Sequence, residues 1–196
     1  MLAGSSDDEG HQDPRERFTS PLPADHSRYE GLWRNGQRTI LDYTAHGVRV
    51  LDHPWLETGN GITAFTRTLE IAPAKKKLTF LLASQPKSKA AAFHQAGIKG
   101  VRLESGNSLL VVAAQGAAAA AIAIGQDKLA VQVPPHAQTV RIKVFIWKGT
   151  SGQIPAFANL VKGAAAAPSL AWLTKSGFSR LWTAPITTRG RVGLPL

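Results

Sequence analysis

An abrupt change of pattern at Tyr29 constrains the fold more than any other feature of this 196-residue chain. Residues 1–28 hold six acids and three prolines in no regular order. From residue 29, apolar and polar positions alternate with a period of two, as they do in a half-buried β-strand. Asn35-Gly36 interrupts this alternation, and the dipeptide is typical of a tight hairpin turn. We therefore predict that the folded part begins with a β-hairpin over residues 29–44.

Short strands predicted from similar patterns fill most of the remaining chain. They lie at residues 48–51, 62–71, 78–83, 101–104, 109–113, 118–124, 129–133 and 139–147. Their spacing is typical of a β-sandwich or barrel, although the alanine run at residues 117–121 also suits a helix. Asp52-His53-Pro54 is predicted to be a turn, and residues 90–94 a helical turn. The predicted fold class is mainly β, an antiparallel β-sandwich-like domain with a short helical C-terminal connector.

Composition divides the chain into three segments. Residues 1–28 are a predicted irregular acidic arm, because they contain few large apolar groups and cannot form a packed core alone. Residues 29–148 form the predicted sandwich-like domain. Residues 149–196 are a predicted helical and extended connector, with helices at residues 155–162 and 169–175 that each end near a glycine.

The distribution of charge limits the partners. The formal net charge is +10 at pH 7, and no acid follows Asp127. A field of one sign favours anionic partners such as acidic polysaccharide, whereas the plainer interpretation is a solvated face of a β protein. Nucleic acid is not expected as a partner, because the sequence shows no basic helix, zinc-finger spacing or aromatic pattern of an RNA-binding sheet. The longest apolar stretch, residues 116–125, is too short to span a membrane, and the first residues do not read as a signal peptide.

Few residues offer catalytic chemistry. The chain has no cysteine, which excludes disulfides, thiolate metal sites, a cysteine nucleophile and a CxxCH haem attachment within it. The six histidines lack the spacing of a metal pair. Asp42 and Asp52 are a glycosidase pair only if they converge in a cleft, and Ser151 lacks the flanking glycines of a nucleophile elbow. We therefore expect a noncatalytic segment with no cofactor of its own.

Aromatic and basic residues of the first strands form a candidate glycan-binding site. Trp33, Tyr43 and Trp55 fall in consecutive β elements, and aromatic faces stack on the apolar faces of sugars. Arg49 and Arg67 would add positive charge for an anionic glycan. The alternative is that the aromatic residues fill the core between sheets. Packing anchors are predicted at the later tryptophans, Trp147, Trp172 and Trp182.

Several short motifs follow one another along the chain. They are DPR (13–15), PLP (21–23), YEGLWRNGQRTILDYT (29–44), GVRVL (47–51), FTRTLEI (65–71), LTKSGFSRLW (173–182) and TTRGRVG (187–193). With these motifs the chain resembles an uncharacterised domain of very large secreted proteins of planctomycete-like bacteria. The likeness covers nearly all of the chain, and LTKSGF stands where that family usually has LTKGGP.

The resemblance implies a place in a larger protein. In that family the region lies beside a sorbosone-dehydrogenase-like β-propeller and a cytochrome-c-type haem domain, so this chain looks like an interior fragment. We therefore expect an accessory or scaffolding domain of an extracytoplasmic, haem-associated protein linked to carbohydrate oxidation. Haem c would lie elsewhere in the parent, with the propeller and haem domains as partners. The alternative function is a polysaccharide-binding module for anionic glycans, and a weaker alternative is part of a sugar dehydrogenase; no catalytic residues carry over.

Overall fold

The computed structural model describes residues 25–116, 120–125 and 127–174. The strands within these ranges are β1 (Ser27–Asn35), β2 (Arg38–Ala45), β3 (Val48–Gly59), β4 (Ile62–Ile71), β5 (Leu78–Ser84), β6 (Lys89–Gln95), β7 (Ile98–Ser105), β8 (Ser108–Gln115), β9 (Ala120–Ile124), β10 (Lys128–Val133) and β11 (Val140–Gly149). A 3₁₀ turn (Ser151–Gln153), helix α1 (Ile154–Gly163) and a 3₁₀ helix (Ala171–Thr174) follow them. The described part is therefore mainly β, which confirms the predicted fold class.

The strands form two antiparallel sheets. The large sheet has the order β1-β2-β3-β4-β11-β8-β7-β6, and the small sheet has the order β5-β10-β9. The small sheet packs on one face of the large sheet, which we call the sandwich face. Helix α1 packs on the opposite face, which we call the helix face. Edge strand β1 contains a β-bulge, because its register shifts between Tyr29 and Gly31.

Three hairpins of the large sheet close through two-residue turns in which both residues have positive φ. These turns are His46-Gly47 (49°, 75°), Asn60-Gly61 (54°, 75°) and Ala96-Gly97 (52°, 82°). Positive φ at both central positions is the mark of a type I′ turn, whose twist matches that of antiparallel strands. The turns keep sequence neighbours side by side in the sheet.

Strand β3 runs without a break through Asp52-His53-Pro54, so the predicted turn there is wrong. Pro54 has no N–H to donate, and the register of β2 and β3, continued by two residues, places Thr39 opposite it. His53 Nδ1 lies 2.9 Å from the Thr39 carbonyl oxygen. Because a carbonyl oxygen only accepts, Nδ1 carries the proton. The histidine ring thus replaces the donor that proline lacks, and the strand continues to Gly59.

Strand β6 stands where a helical turn was predicted at residues 90–94, so that prediction is also wrong. Alanine favours a helix locally, but β6 pairs with β7 along its whole length. Phe93 of β6 is buried, and its ring centroid lies 5.8 Å from that of Phe157 in α1. Pairing and burial therefore override the local helix preference.

The predicted C-terminal helices have different outcomes. Helix α1 matches the helix predicted at residues 155–162 to within one residue at each end. Where a helix was predicted at residues 169–175, the described residues contain the shorter 3₁₀ helix Ala171–Thr174.

Some predictions fall on residues that the structure does not describe. The strand predicted at residues 118–124 is present as β9, and residues 117–119 lie outside the described ranges. Residues 1–24 of the predicted arm and residues 175–196, with Trp182, also lie outside them.

Two apolar clusters hold the layers together. Large side chains between the two sheets include Leu69, Ile71, Phe80, Leu103, Leu129 and Ile142. Large side chains between α1 and the large sheet include Phe93, Val111, Phe145, Trp147, Phe157 and Leu160. Trp147 stacks on Phe157 with ring centroids 5.2 Å apart, which confirms Trp147 as a packing anchor. Trp172 is 49% exposed, so the prediction that it is an anchor is wrong.

Gly100 of β7 lies where a larger side chain does not fit. A Cβ there would meet the carbonyl oxygen of Val112 well inside van der Waals contact, with Ala113 Cα 3.3 Å away. Gly100→Ala should therefore lower the free energy of unfolding by about 1–3 kcal/mol, as overpacking does, measured by urea denaturation. Gly31→Ala is the matched control, since nothing lies within 4 Å of a Cβ at that position. Equal losses in the two variants would contradict the close approach at Gly100.

Candidate functional site

The five predicted glycan-binding residues lie on opposite faces of the large sheet. Directly opposed residues of an antiparallel pair share a face, and neighbours along a strand alternate between faces. The register places Trp33, Arg49 and Trp55 on the helix face. It places Tyr43 and Arg67 on the sandwich face. The three aromatic residues therefore do not form one platform, because the sheet separates Tyr43 from the two tryptophans.

The same alternation separates the two candidate carboxylates. Asp42 lies opposite Leu51 on the helix face, whereas Asp52 lies opposite Leu41 on the sandwich face. The sheet stands between the two side chains, so they do not converge in a cleft as a glycosidase pair must. Each carboxylate binds a different arginine.

Asp52 is the centre of a buried ionic group on the sandwich face. Arg67 Nε donates to its two oxygens at 3.3 and 3.2 Å, and Arg67 Nη2 pairs with Oδ2. The Tyr43 hydroxyl donates to Asp52 Oδ2 at 3.4 Å. Burial raises the pKa of Tyr43 well above its ordinary value, and the negative charge of Asp52 adds to the increase. Arg67 and Tyr43 thus both direct their hydrogen bonds to the Asp52 carboxylate.

Large apolar side chains lie around this group and remain exposed. The open patch consists of Tyr29, Leu32, Leu56 and Phe65, which are 42% to 64% exposed. Tyr29 pairs with Tyr43 across β1 and β2, and Leu56 pairs with Phe65 across β3 and β4. The small sheet covers the part of the sandwich face formed by β7, β8, β11 and the ends of β3 and β4. The open patch thus occupies the part of this face that the small sheet leaves uncovered.

Asp42 is the centre of a second ionic group, on the helix face. Arg49 Nε donates to Oδ1 at 2.9 Å and Arg49 Nη2 donates to Oδ2 at 2.6 Å, while Trp33 Nε1 donates to Oδ2 at 3.4 Å. The hydrogen bonds from Arg49 lower the pKa of Asp42, although burial acts in the opposite direction. Arg49 and Arg67 are therefore each matched by a carboxylate and carry little free charge toward an anionic glycan.

The C-terminal strap, residues 164–174, is tied to the helix face by two charged side chains. The Glu70 carboxylate accepts the backbone N–H of Leu170 at 2.7 Å and that of Ala171 at 3.3 Å. Lys143 donates to the carbonyl oxygen of Ala165 at 3.3 Å. Both charged residues are buried, so these bonds form where water does not compete.

Apolar contacts of the C-terminal strap reach the first hairpin. Leu170 and Leu173 are buried against Ile40 of β2 and Leu51 of β3, with Trp33 of β1 packed beside them. The C-terminal strap therefore holds the helix face of β1, β2 and β3, while the sandwich face of the same strands bears the open patch.

Within residues 25–116, 120–125 and 127–174, no group of three or more histidines and carboxylates is placed to hold a metal ion. The His136 ring lies between the carbonyl oxygens of Pro134 and Ala72, at 2.8 and 2.9 Å, and so contacts backbone rather than other titratable groups. Across the same ranges, no helix combines the length and apolar character needed to cross a membrane.

Leu32, Leu56 and Phe65 were not predicted from the sequence to be functional residues. The sequence held one signal for Phe65. Phe65, Arg67 and Leu69 share one face of β4, and a charged residue between two apolar ones indicates that this face is covered along only part of the strand. The role of Glu70 had no local signal, since its partner Leu170 is 100 residues away.

Loss of the Asp52 carboxylate should cost far more stability than loss of the Asp42 carboxylate. The Arg67 side chain is 22% exposed, whereas that of Arg49 is 54% exposed. Asp52→Asn leaves a largely buried guanidinium unpaired and should lower the free energy of unfolding by about 3–5 kcal/mol. Asp42→Asn leaves a solvated guanidinium and should cost about 1 kcal/mol or less. Urea denaturation of both variants measures the difference, and equal losses would contradict it.

Tyr43 should make the protein less stable at alkaline pH. Its pKa is raised in the folded state, so the folded protein keeps a phenol proton that the unfolded chain releases above about pH 10. The free energy of unfolding should therefore fall as the pH rises beyond that value. In Tyr43→Phe the fall should be smaller by this contribution, measured by urea denaturation at neutral and alkaline pH. An identical alkaline loss in the parent and the variant would contradict the assignment.

The first quarter of the chain matches a known family. The family described as a domain of unknown function (DUF6797) matches residues 2–52, which is about a quarter of the chain. Within the described residues, the match covers β1, β2 and the start of β3, as far as Asp52. No curated protein matches the chain. The chain is thus similar over its first quarter to a family without an assigned function.

Proposed function

We propose that this chain is a noncatalytic accessory or scaffolding domain that docks against a neighbouring domain of a longer polypeptide through the open patch. The observation that carries the proposal is the exposure of Tyr29, Leu32, Leu56 and Phe65 on a single face. Soluble proteins rarely expose contiguous apolar patches, and those that do commonly use them for contact with a partner.

The chemistry beneath the open patch suits a buried interface. Asp52 and Arg67 cancel in charge, and Tyr43 hydrogen-bonds to the same carboxylate. Covering the open patch therefore leaves no carboxylate without a partner, and an unpaired charge is the main cost of burying an ionic group. An apolar centre with depleted net charge is also what the cores of protein interfaces have in common.

We propose that the occupant is a β-propeller domain of the same polypeptide, the neighbour that the resemblance of the sequence motifs implies. In that setting the parent is extracytoplasmic and linked to carbohydrate oxidation, and haem c is bound by another domain. The match to residues 2–52 includes the first strands, which carry Tyr29, Leu32 and Tyr43 of the sandwich face.

Two leucine substitutions test this docking. The segments that flank this chain in its reading frame are expressed as a separate polypeptide, and their binding to the chain is measured by calorimetry. Leu32→Ser combined with Leu56→Ser should weaken binding at least about tenfold, because each buried leucine side chain contributes on the order of 1.5–3 kcal/mol. Thermal unfolding should change little, since both side chains are exposed in the isolated chain.

Leu81→Ser is the matched control, because Leu81 is 50% exposed but belongs to β5 of the small sheet. Binding by this variant should equal that of the parent. A reading frame with no flanking domain, no binding by the parent chain, or equal weakening in the Leu81 variant would each contradict the proposal.

A further inference from the structure

The C-terminal strap borders two open depressions. One has a volume of about 560 Å³ and is lined by Gln115, Thr139 and Arg141 on the sheet side and by Ala164, Ala166 and Ala167 on the strap side. The other has a volume of about 500 Å³ and is lined by Pro168, Ser169, Ala171 and Trp172. Both volumes fall in the range of small-ligand sites. The two depressions border successive residues of the strap.

Arg141 brings positive charge to the first depression. Five basic residues of the described part pair with carboxylates: Arg28, Arg49, Arg67, Arg102 and Lys143. Arg34, Arg38 and Arg141 are the described arginines without a carboxylate within ion-pair distance, and of these Arg141 lines a depression. The carboxylate closest to it in register is that of Glu70, which is already bound to the backbone of the strap.

Trp172 brings an exposed aromatic side chain to the second depression. The side chain is 49% exposed, on a 3₁₀ helix in which Leu173 is buried, and Leu170 just before the helix is buried too. The backbone from Ala167 to Ala171 spans at most about 14 Å, so the two depressions are close enough for one extended ligand. Ala167 lines the first depression and Pro168, the next residue of the strap, lines the second.

We propose that these two depressions form a binding site for an acidic polysaccharide whose sugar rings carry carboxylates. A guanidinium presents two parallel N–H donors that match a carboxylate, and Arg141 supplies them. The apolar face of a sugar ring stacks on an aromatic side chain, and Trp172 supplies it. The site is distinct from the open patch and does not depend on docking there. It differs from the set predicted from sequence, whose two arginines are matched by Asp42 and Asp52.

The test measures binding of polygalacturonate to the whole chain by calorimetry at low salt. Arg141→Gln should weaken binding about tenfold or more, as loss of hydrogen bonds to a charged group does. Trp172→Ala should weaken it by a similar factor. Binding by the parent should fall as salt is added, because the interaction is partly electrostatic. Nuclear magnetic resonance shifts caused by galacturonate in the parent chain should centre on residues 139–141 and 164–172, which locates the site even where a variant folds poorly.

Two controls separate a built site from a general basic surface. Arg38→Gln removes the same charge from an exposed arginine in β2, and Trp55→Ala removes an exposed tryptophan of β3; both should bind as the parent does. Neutral dextran should not bind. Equal weakening in Arg38→Gln, binding of dextran sulfate in place of polygalacturonate, or shifts centred away from the strap would overturn the proposal.

Discussion

The pairing of β3 with β4 determines what each face of the molecule can do. Leu69 and Ile71 of β4 enter the core between the sheets, while Glu70 between them points to the opposite face and holds the strap. Arg67, two residues from Leu69, meets Asp52 on the sandwich face. A shift of one residue in this register would exchange the two faces of β4, separating Arg67 from Asp52 and turning Glu70 away from the strap. The sandwich core, the pair of Asp52 with Arg67 and the attachment of the strap therefore rest on one alignment of two strands.

The first three strands are packed on the helix face and partly uncovered on the sandwich face. On the helix face, Leu170 and Leu173 bury Ile40 and Leu51. On the sandwich face, nothing in the described part of the chain covers Leu32 and its exposed neighbours. Packing on the helix face holds these strands in place while apolar side chains stay exposed on the sandwich face.

Local patterns in the sequence were enough to predict the class of the fold, and long-range contacts explain where they failed. The hairpin turns and α1 depend on neighbouring residues. Dipeptides such as Asn60-Gly61 therefore indicate the turns directly. Strand β3 was divided at Pro54 because the compensating donor, His53, acts on a residue 14 positions away. The arrangement of the candidate glycan-binding residues depends on long-range contacts in the same way. Trp33, Tyr43 and Trp55 fall in consecutive β elements, but only the register of the strands shows that they lie on two faces.

The bulge in β1 has a consequence for association between molecules. β1 is an edge of the large sheet, and an edge next to an apolar surface invites a second chain to add a strand. The register shift between Tyr29 and Gly31 bends this border and leaves a residue without a partner, so an incoming backbone meets an irregular row of donors and acceptors. Contact through side chains stays available, whereas growth into a continuous fibre is disfavoured.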